Sequence, residues 1–365
     1  MLDRGATVQT RDSDPELNIG AWAAGGTFGT ARDSLAGAGI QTASIGIGGR
    51  NPGTAYIDLV EKYDGTSWSE VSEINTARKL LGGAGTSTAA LAYGGRKSPG
   101  DANTGETESW NGSAWTEVND LNTARGQLGG SGATYTAAIA AGGGTPSATA
   151  VTETWNGTSW TEVNDLNNSR RNFPVSGTTT AAIAGGGEDG PNARIESWDG
   201  SSWTEIAEAN TARNSASMSC NGSNTATIYF GGYTSTYVTN TEDWNGTAWT
   251  EVNDLATAKG YAAGTGTSTL AFSFGGEPGS HSTTEEWSFP PPTAAILTEG
   301  QIFLSGGTTL KGFGKAAGIP AATWSSSGAM NTARRNLGGA GEQTSGLAFA
   351  GATTASVANT ETYNG

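Results

Sequence analysis

The chain lacks the residues that most metal and redox chemistry requires. Cys220 is the only cysteine in 365 residues, so no intrachain disulfide and no thiolate metal cage can form. It sits in the small polar stretch Ser217-Met218-Ser219-Cys220-Asn221, where it reads as a plain small residue. His281 is the only histidine, and any His-based catalytic triad depends on it alone. No metal and no cofactor are expected. Long apolar runs are missing too: no stretch approaches the roughly 18 residues of a membrane span, and the amino terminus lacks the basic, apolar and cleavage regions of a secretory signal. Five Asn-x-Ser/Thr sites (Asn111, Asn156, Asn167, Asn221, Asn245) therefore read as turn chemistry. Basic residues are few, 19 against 34 acidic, for a net charge of −15. That balance repels a phosphate backbone and offers no basic stripe for counterion release, which excludes nucleic acid as an expected partner.

What is present is periodic. Only 35% of the chain is hydrophobic and 57 residues are glycine, the composition of a linker, yet the aromatics recur at fixed spacing, which disordered segments rarely show. Seven tryptophans (Trp22, Trp68, Trp115, Trp160, Trp203, Trp249, Trp324) each lie ten residues before an Arg or Lys, at successive spacings of 46, 47, 45, 43, 46 and 75. A unit that cannot bury its apolar face alone must stack on its neighbours, so the period predicts a repeat architecture. Each unit carries four short strand signals separated by turn signals, as an antiparallel blade requires. In residues 115–155 these are Trp-Thr-Glu-Val, a small-residue run after Arg125, Thr136-Ala-Ala-Ile-Ala140 ending at Gly142-Gly143, and a strand carrying Glu153 and Trp155. Asn156-Gly157 then predicts a tight hairpin, because both residues tolerate positive φ.

A double glycine ending one strand, an aromatic on the next, a turn and then a tryptophan together resemble the kelch repeat over about residues 20–365. The glycine pairs are Gly48-Gly49, Gly94-Gly95, Gly142-Gly143, Gly185-Gly186, Gly231-Gly232 and Gly275-Gly276; Gly351 stands alone in the seventh unit. The second aromatic column is Tyr63, Trp110, Trp155, Trp198, Trp244, Trp287 and Tyr363. The resemblance implies an all-β, seven-bladed β-propeller of four-stranded antiparallel blades. The last unit stops at Tyr363-Asn364-Gly365, where a Trp strand should follow, and the chain starts with an orphan Trp strand around Trp22. Residues 20–28 are therefore expected to supply the outermost strand of the carboxyl-terminal blade, residues 334–365, and so remove free sheet edges. Residues 1–19 read as an amino-terminal arm.

Repeated residues in a ring describe its scaffold. The tryptophan columns are expected to pack blade on blade. Glu61, Glu108, Glu153, Glu196, Glu242, Glu285 and Glu361 recur two residues before the second aromatic, matched in number by Arg32, Arg78, Arg125, Arg170, Arg213, Lys259 and Arg334. Equal counts favour ion pairs or carboxylate-to-backbone bonds over seven catalytic carboxylates. Galactose-oxidase-like kelch proteins need histidine and cysteine-modified tyrosine ligands for copper, which one histidine and one cysteine do not supply. The chain is accordingly read as a non-enzyme; a glycan-active enzyme using loop-face carboxylates is the alternative, and no particular pair stands out.

Variation, and with it recognition, is expected in the loops after the double glycines, which the propeller topology places on one face. Arg50, Asn51, Tyr56, Arg96, Lys97, Tyr233, Tyr237 and His281 are the candidate binding residues there. Between Trp287 and Trp324 lie 32 residues more than the usual five-residue spacing. This insertion, 288–320, reads as a small hairpin within blade six, with Ile302, Phe303, Leu304 and Phe313 as candidate docking residues. Leu297-Thr-Glu-Gly-Gln301-Ile-Phe followed by Leu310-Lys311-Gly-Phe-Gly resembles a short module of bacteriophage tail and fibre proteins. That resemblance implies a virion protein assembled in the bacterial host cytoplasm, acting as a structural or host-surface-recognition module, with other virion proteins or a host glycan or protein as partner. A cellular protein-interaction propeller is a further alternative.

Overall fold

The computed structural model describes residues 20–188, 193–278 and 282–289 in full, and beyond them the backbone of strands 302–305, 309–312, 338–342, 345–349 and 360–363. Residues 1–19, His281, Phe313 and Trp324 lie outside the described residues. The chain divides into two units, Met1–Ala295 and Ile296–Gly365.

The first unit is a propeller. Among the described residues there are six four-stranded antiparallel sheets, one for each of the first six repeats. In blade one, β2 (Ala36–Ile40), β3 (Ala43–Ile47), β4 (Val60–Tyr63) and β5 (Trp68–Val71) run outward in that order. Blades two to five repeat this order, starting from Gly82–Thr86, Gly129–Thr134, Val175–Gly177 and Ser217–Met218 and ending in the strands that begin at Trp115, Trp160, Trp203 and Trp249.

Blade six brings a correction. Its strands Ala263–Gly266, Ala271–Phe274 and Thr284–Ser288 are completed by the amino-terminal strand β1 (Ala21–Ala24), with Trp22 directly opposite Trp287. The amino-terminal strand thus closes the sixth blade, not the blade built from 334–365. The seventh repeat forms a separate three-stranded sheet, Gly338–Glu342, Ser345–Phe349 and Thr360–Tyr363, within the second unit. The expected hairpin is there as well, Ile302–Ser305 paired with Thr309–Gly312, and it groups with the second unit.

Hydrogen bonding shows how the six blades close. Two residues after each basic residue stands one with left-handed backbone: Ser34, Leu80, Gln127, Asn172, Ser215 and Tyr261, at φ between 53° and 60°. Each donates its N–H to the carbonyl of the previous one, at 2.7 to 2.9 Å, and Ser34 takes its place in the cycle by donating to Tyr261. This belt satisfies six backbone N–H groups and six carbonyls that would otherwise be costly to bury. Between blades one and six, the Ser44 and Thr265 hydroxyls meet at 2.7 Å, and Gln41 Nε2 donates to the carbonyls of Ala271 and Trp287 at 3.0 and 2.6 Å.

Small residues on the innermost strands follow from this convergence. A Cβ on Gly83 would lie 2.8 Å from the Gly37 carbonyl oxygen, and one on Gly37 would lie 2.9 Å from Thr265 Cγ2. Neighbouring inner strands approach each other over glycine because nothing larger fits. Farther from the axis the gap widens and tryptophan fills it. Outermost tryptophans reach back to the preceding blade: Trp160 Nε1 donates to Thr107 Oγ1, Trp203 to Thr152 Oγ1 and Trp22 to Thr241 Oγ1, each at 3.1 Å. Second-column tryptophans bond within their own blade, as Trp110 Nε1 does to the Ser87 carbonyl at 3.2 Å. Each buried ring removes on the order of 150–250 Å² from water, which compensates for the scarcity of leucine and isoleucine. At the seam between blades six and one, Phe28, Trp68, Phe272 and Phe274 form an aromatic cluster with centroids 4.5 to 5.7 Å apart.

Two local expectations are also corrected. Trp110 pairs with Trp115 and Glu108 with Glu117, so four residues connect the outer strands, a longer turn than a tight Asn-Gly hairpin. Gly112 has positive φ but Asn111 does not; the Asn111 side chain instead accepts the N–H groups of Ser113 and Ala114, each at 3.0 Å. Asn caps the turn through its side chain, so its backbone stays in the ordinary region. In blade four the glycine pair with positive φ is Gly186-Gly187, one residue beyond the expected pair, because Gly185 still belongs to the strand.

Candidate binding face

The repeated charges form six buried pairs. Arg78–Glu108, Arg213–Glu242 and Lys259–Glu285 approach to 2.8, 3.0 and 3.1 Å, Arg32–Glu61 to 3.7 Å, and Arg125–Glu153 and Arg170–Glu196 are in direct contact. Their carboxylates also accept backbone N–H groups: Glu108 from Asn75, Glu153 from Asn122 and Thr123, Glu196 from Asn167. The guanidiniums reach strand carbonyls as well, as Arg125 does to Ala140 and Arg213 to Tyr229. Burial pushes the Arg32 guanidinium down to about 10, with Glu61 acting in the opposite direction. Among the described residues, each of these six pairs is held by scaffold contacts.

The loops after the double glycines lie on the same face as the left-handed belt, since Asp33, next to belt residue Ser34, pairs with Arg50 across an isolated bridge. Here the candidate residues form contacts between blades. Arg50 bonds Asp33 of its own blade, with a closest approach of 3.1 Å, and Glu277 of blade six. Glu277 also accepts the Tyr237 hydroxyl of blade five at 2.5 Å, and the Tyr237 ring meets Tyr233 edge-on, 5.2 Å between centroids. Tyr56 donates to Asp101 of blade two at 2.5 Å beneath the Lys79 ammonium. Arg96 binds Asp101 at 2.9 Å and Gln127 of blade three at 2.7 Å, and Lys97 binds Glu106 at 2.5 Å. Partial burial works to raise the Asp101 carboxyl, yet Tyr56, Lys79 and Arg96 hold it below its ordinary range. Asn51 has a local role: its side chain accepts the Ala55 N–H at 3.0 Å and shapes its own loop. Two clusters result, one of Arg50, Tyr233 and Tyr237 and one of Tyr56 and Arg96 around Asp101, while Lys97 binds Glu106 of its own blade.

Between these loops the belt opens onto the axis. Ser34, Leu80, Gln127, Asn172, Ser215 and Tyr261 rim a cavity of about 100 Å³. A collar one residue deeper consists of Leu35, Leu81, Leu128, Phe173, Ala216 and Ala262. A second space of about 120 Å³ continues below the collar and includes Cys220 in its lining. Burial raises the Cys220 thiol to about 12, so it is not a thiolate nucleophile at neutral pH. Tyr261 and Tyr237 are both raised, first by burial, and keep their hydroxyl protons at neutral pH. Asn172, Ser215 and Tyr261 were not among the residues singled out from sequence; the signal was present in their fixed offset from the basic column. Among the described residues no group of three or more His, Cys, Asp or Glu side chains could hold a metal ion, and no helix is long and apolar enough to cross a membrane.

No protein-family model matches the chain, and no curated protein matches it.

Proposed function

We propose that the chain is a non-enzymatic virion module whose propeller presents its loop face to a host-surface glycan or protein. The observation that carries this reading is the break in the repeat on that face. Scaffold columns are uniform from blade to blade, whereas the residue after the glycine pair changes from Arg50 and Arg96 through Gly144 and Glu188 to Tyr233 and Glu277, and Arg50, Glu277 and Tyr237 converge from three blades. Aromatic rings beside polar groups on rigid loops suit recognition. The virion setting rests on the phage-like segment 297–314 and on the kelch-like repeats.

Mass spectrometry of purified phage particles from a culture carrying this sequence tests the setting, and the protein's absence from them removes it. Adsorption of the purified chain to host cells tests recognition; a chain that neither adsorbs nor competes with particles for the cell surface overturns it.

A glycan-active enzyme is the second reading, favoured by one observation. Asp33 and Glu277 both meet Arg50, bringing two carboxylates together on the loop face. Both are bound to that guanidinium, and Asp33 is buried, which supports a structural role for the pair. Saccharide cleavage lost on Glu277→Gln would establish the enzyme reading instead.

A further inference from the structure

The outermost strand of blade six differs from the other five in charge. In blades one to five the residue two after the leading tryptophan is Glu70, Glu117, Glu162, Glu205 or Glu251, and the residue five after it is Glu73, Asp120, Asp165, Glu208 or Asp254. All of these are exposed. Strand β1, which completes blade six, has Ala24 and Thr27 at the same offsets, and they are exposed too. Charged side chains along an outer strand keep other strands from pairing with it. Among the six described blades, only blade six lacks them.

The backbone of β1 is arranged to pair. Among the described residues no strand lies outside it. Gly25 donates its N–H to the Thr284 carbonyl at 3.0 Å, and Ala23 and Ala21 stand opposite Glu286 and Ser288. Hydrogen-bonded residues alternate along an antiparallel pair, so Gly25, Ala23 and Ala21 turn their N–H and C=O groups toward blade six, and Trp22 and Ala24 turn theirs outward. Ala21, Ala23 and Ala24 are exposed and Trp22 is half-buried. This edge is complementary to itself. When two β1 strands meet antiparallel about a twofold axis at Ala23, Trp22 of each copy faces Ala24 of the other and four N–H···O bonds form.

Charge selects the occupant. Each chain carries a net charge of −15, so a second copy approaches most easily where both edges are neutral. The same pairing at blade two, centred on Thr116, would set the two Glu117 side chains diagonally across the pair on one face, about 7–8 Å apart. At blade six those positions are alanine, and β1 of a second copy brings an edge of the same length without charge. We propose that the outer edge of blade six is a homodimer interface, in which β1 pairs antiparallel with β1 of a second copy and joins two four-stranded blades into one eight-stranded sheet. The interface is separate from the loop face and does not depend on host recognition.

The test uses the full chain. Sedimentation velocity over a concentration series is expected to show reversible conversion from one chain mass to two. Ala23→Cys sets two thiols opposite each other at the twofold axis, in a non-hydrogen-bonded pair with Cα atoms about 4.5 Å apart, within disulfide reach. Diamide is expected to link that variant into a covalent dimer. Ala21→Cys, four residues out of register with its copy, is expected to stay unlinked, as is the unaltered chain, whose Cys220 is buried. Ala24→Glu combined with Thr27→Asp installs the acids that blades two, three and five carry, and should weaken the dimer about tenfold or more. The fold accommodates this change: Asp120, Asp165 and Asp254 accept the N–H groups of Thr107, Thr152 and Thr241 at 3.0 to 3.2 Å. The melting temperature is expected to stay near that of the unaltered chain.

A single chain mass at every concentration overturns the interface, and cover of the edge by another part of the same chain would give that result. So does a dimer undiminished in folded Ala24→Glu with Thr27→Asp, or one in which Ala23→Cys links no better than Ala21→Cys. If the acidic variant fails to fold, the two cysteine variants still decide the matter.

Discussion

The buried ion pairs of the blades and the ion pairs of the loop face use the same functional groups to different ends. Arg125–Glu153 has both side chains fully buried and additional bonds to backbone on each side. Lys97–Glu106 on the loop face has side chains 38% and 22% exposed. The first kind recurs six times at one offset among the described residues; the second changes between blades, with Arg50 on Asp33 and Glu277, Arg96 on Asp101 and Arg171 on Glu188. Repetition marks groups whose partners lie inside the repeat, and variation marks groups left over for something else.

The largest expected effect on the scaffold side comes from removing residues 1–26. This deletes β1 and the Trp22 contacts with Trp287 and Phe230, leaving blade six with an open edge. The prediction is loss of a single cooperative unfolding transition, read by tryptophan fluorescence in urea. Next, Arg125→Met leaves Glu153 buried without its cation and should cost about 3–5 kcal/mol. Arg125→Met combined with Glu153→Leu should recover most of that loss, since both charges are then gone; a double variant as unstable as the single would show that the pair itself stabilises the blade.

Lys259 is the one exception in the basic column, and an ammonium lacks the fork that lets Arg125 and Arg213 bond a carboxylate and a carbonyl together. Lys259→Arg should add about 1 kcal/mol, seen as a higher melting temperature; no gain would mean that blade six has lost the geometry of the others. A smaller effect appears in acid. The carboxyls of Asp64 and Asp199 are lowered to about 2 from 3.8, chiefly by backbone N–H bonds from Ser67 and Ser202. Because the folded value is depressed, their contribution is present above about 3.8 and lost as pH falls toward 2. Asn stands at this position in blades two, three and five, so Asp64→Asn with Asp199→Asn should keep both turns and flatten the dependence of melting temperature on pH in that window. Least of all, Lys97→Ala should change stability by about 0–1 kcal/mol, and a larger loss would place that loop within the scaffold.

The repeat was legible because its side chains report their surroundings locally. A tryptophan, an Asn-Gly turn and a basic residue at constant offset need no partner to be recognised, and the equal counts of Glu and Arg pointed to pairing that the six buried pairs display. The four-residue turn was not legible, since Asn-Gly serves both backbone and side-chain capping. Nor was the axial rim, because Asn172 and Tyr261 acquire meaning only when six blades place them around one axis.

The sequence by itself determined that the chain is all-β, that each repeat is an antiparallel blade, and that Trp strands lie outermost. These follow from local alternation and turn chemistry. The tertiary structure alone decided which sheet β1 completes. Any blade ending in Thr-Glu-x-aromatic presents an edge that a Trp strand fits, so the sequence leaves blade six and the seventh repeat equivalent as partners. The ring closes at six because the belt of backbone hydrogen bonds returns from Tyr261 to Ser34 there, and that cycle depends on the geometry of six converging strands.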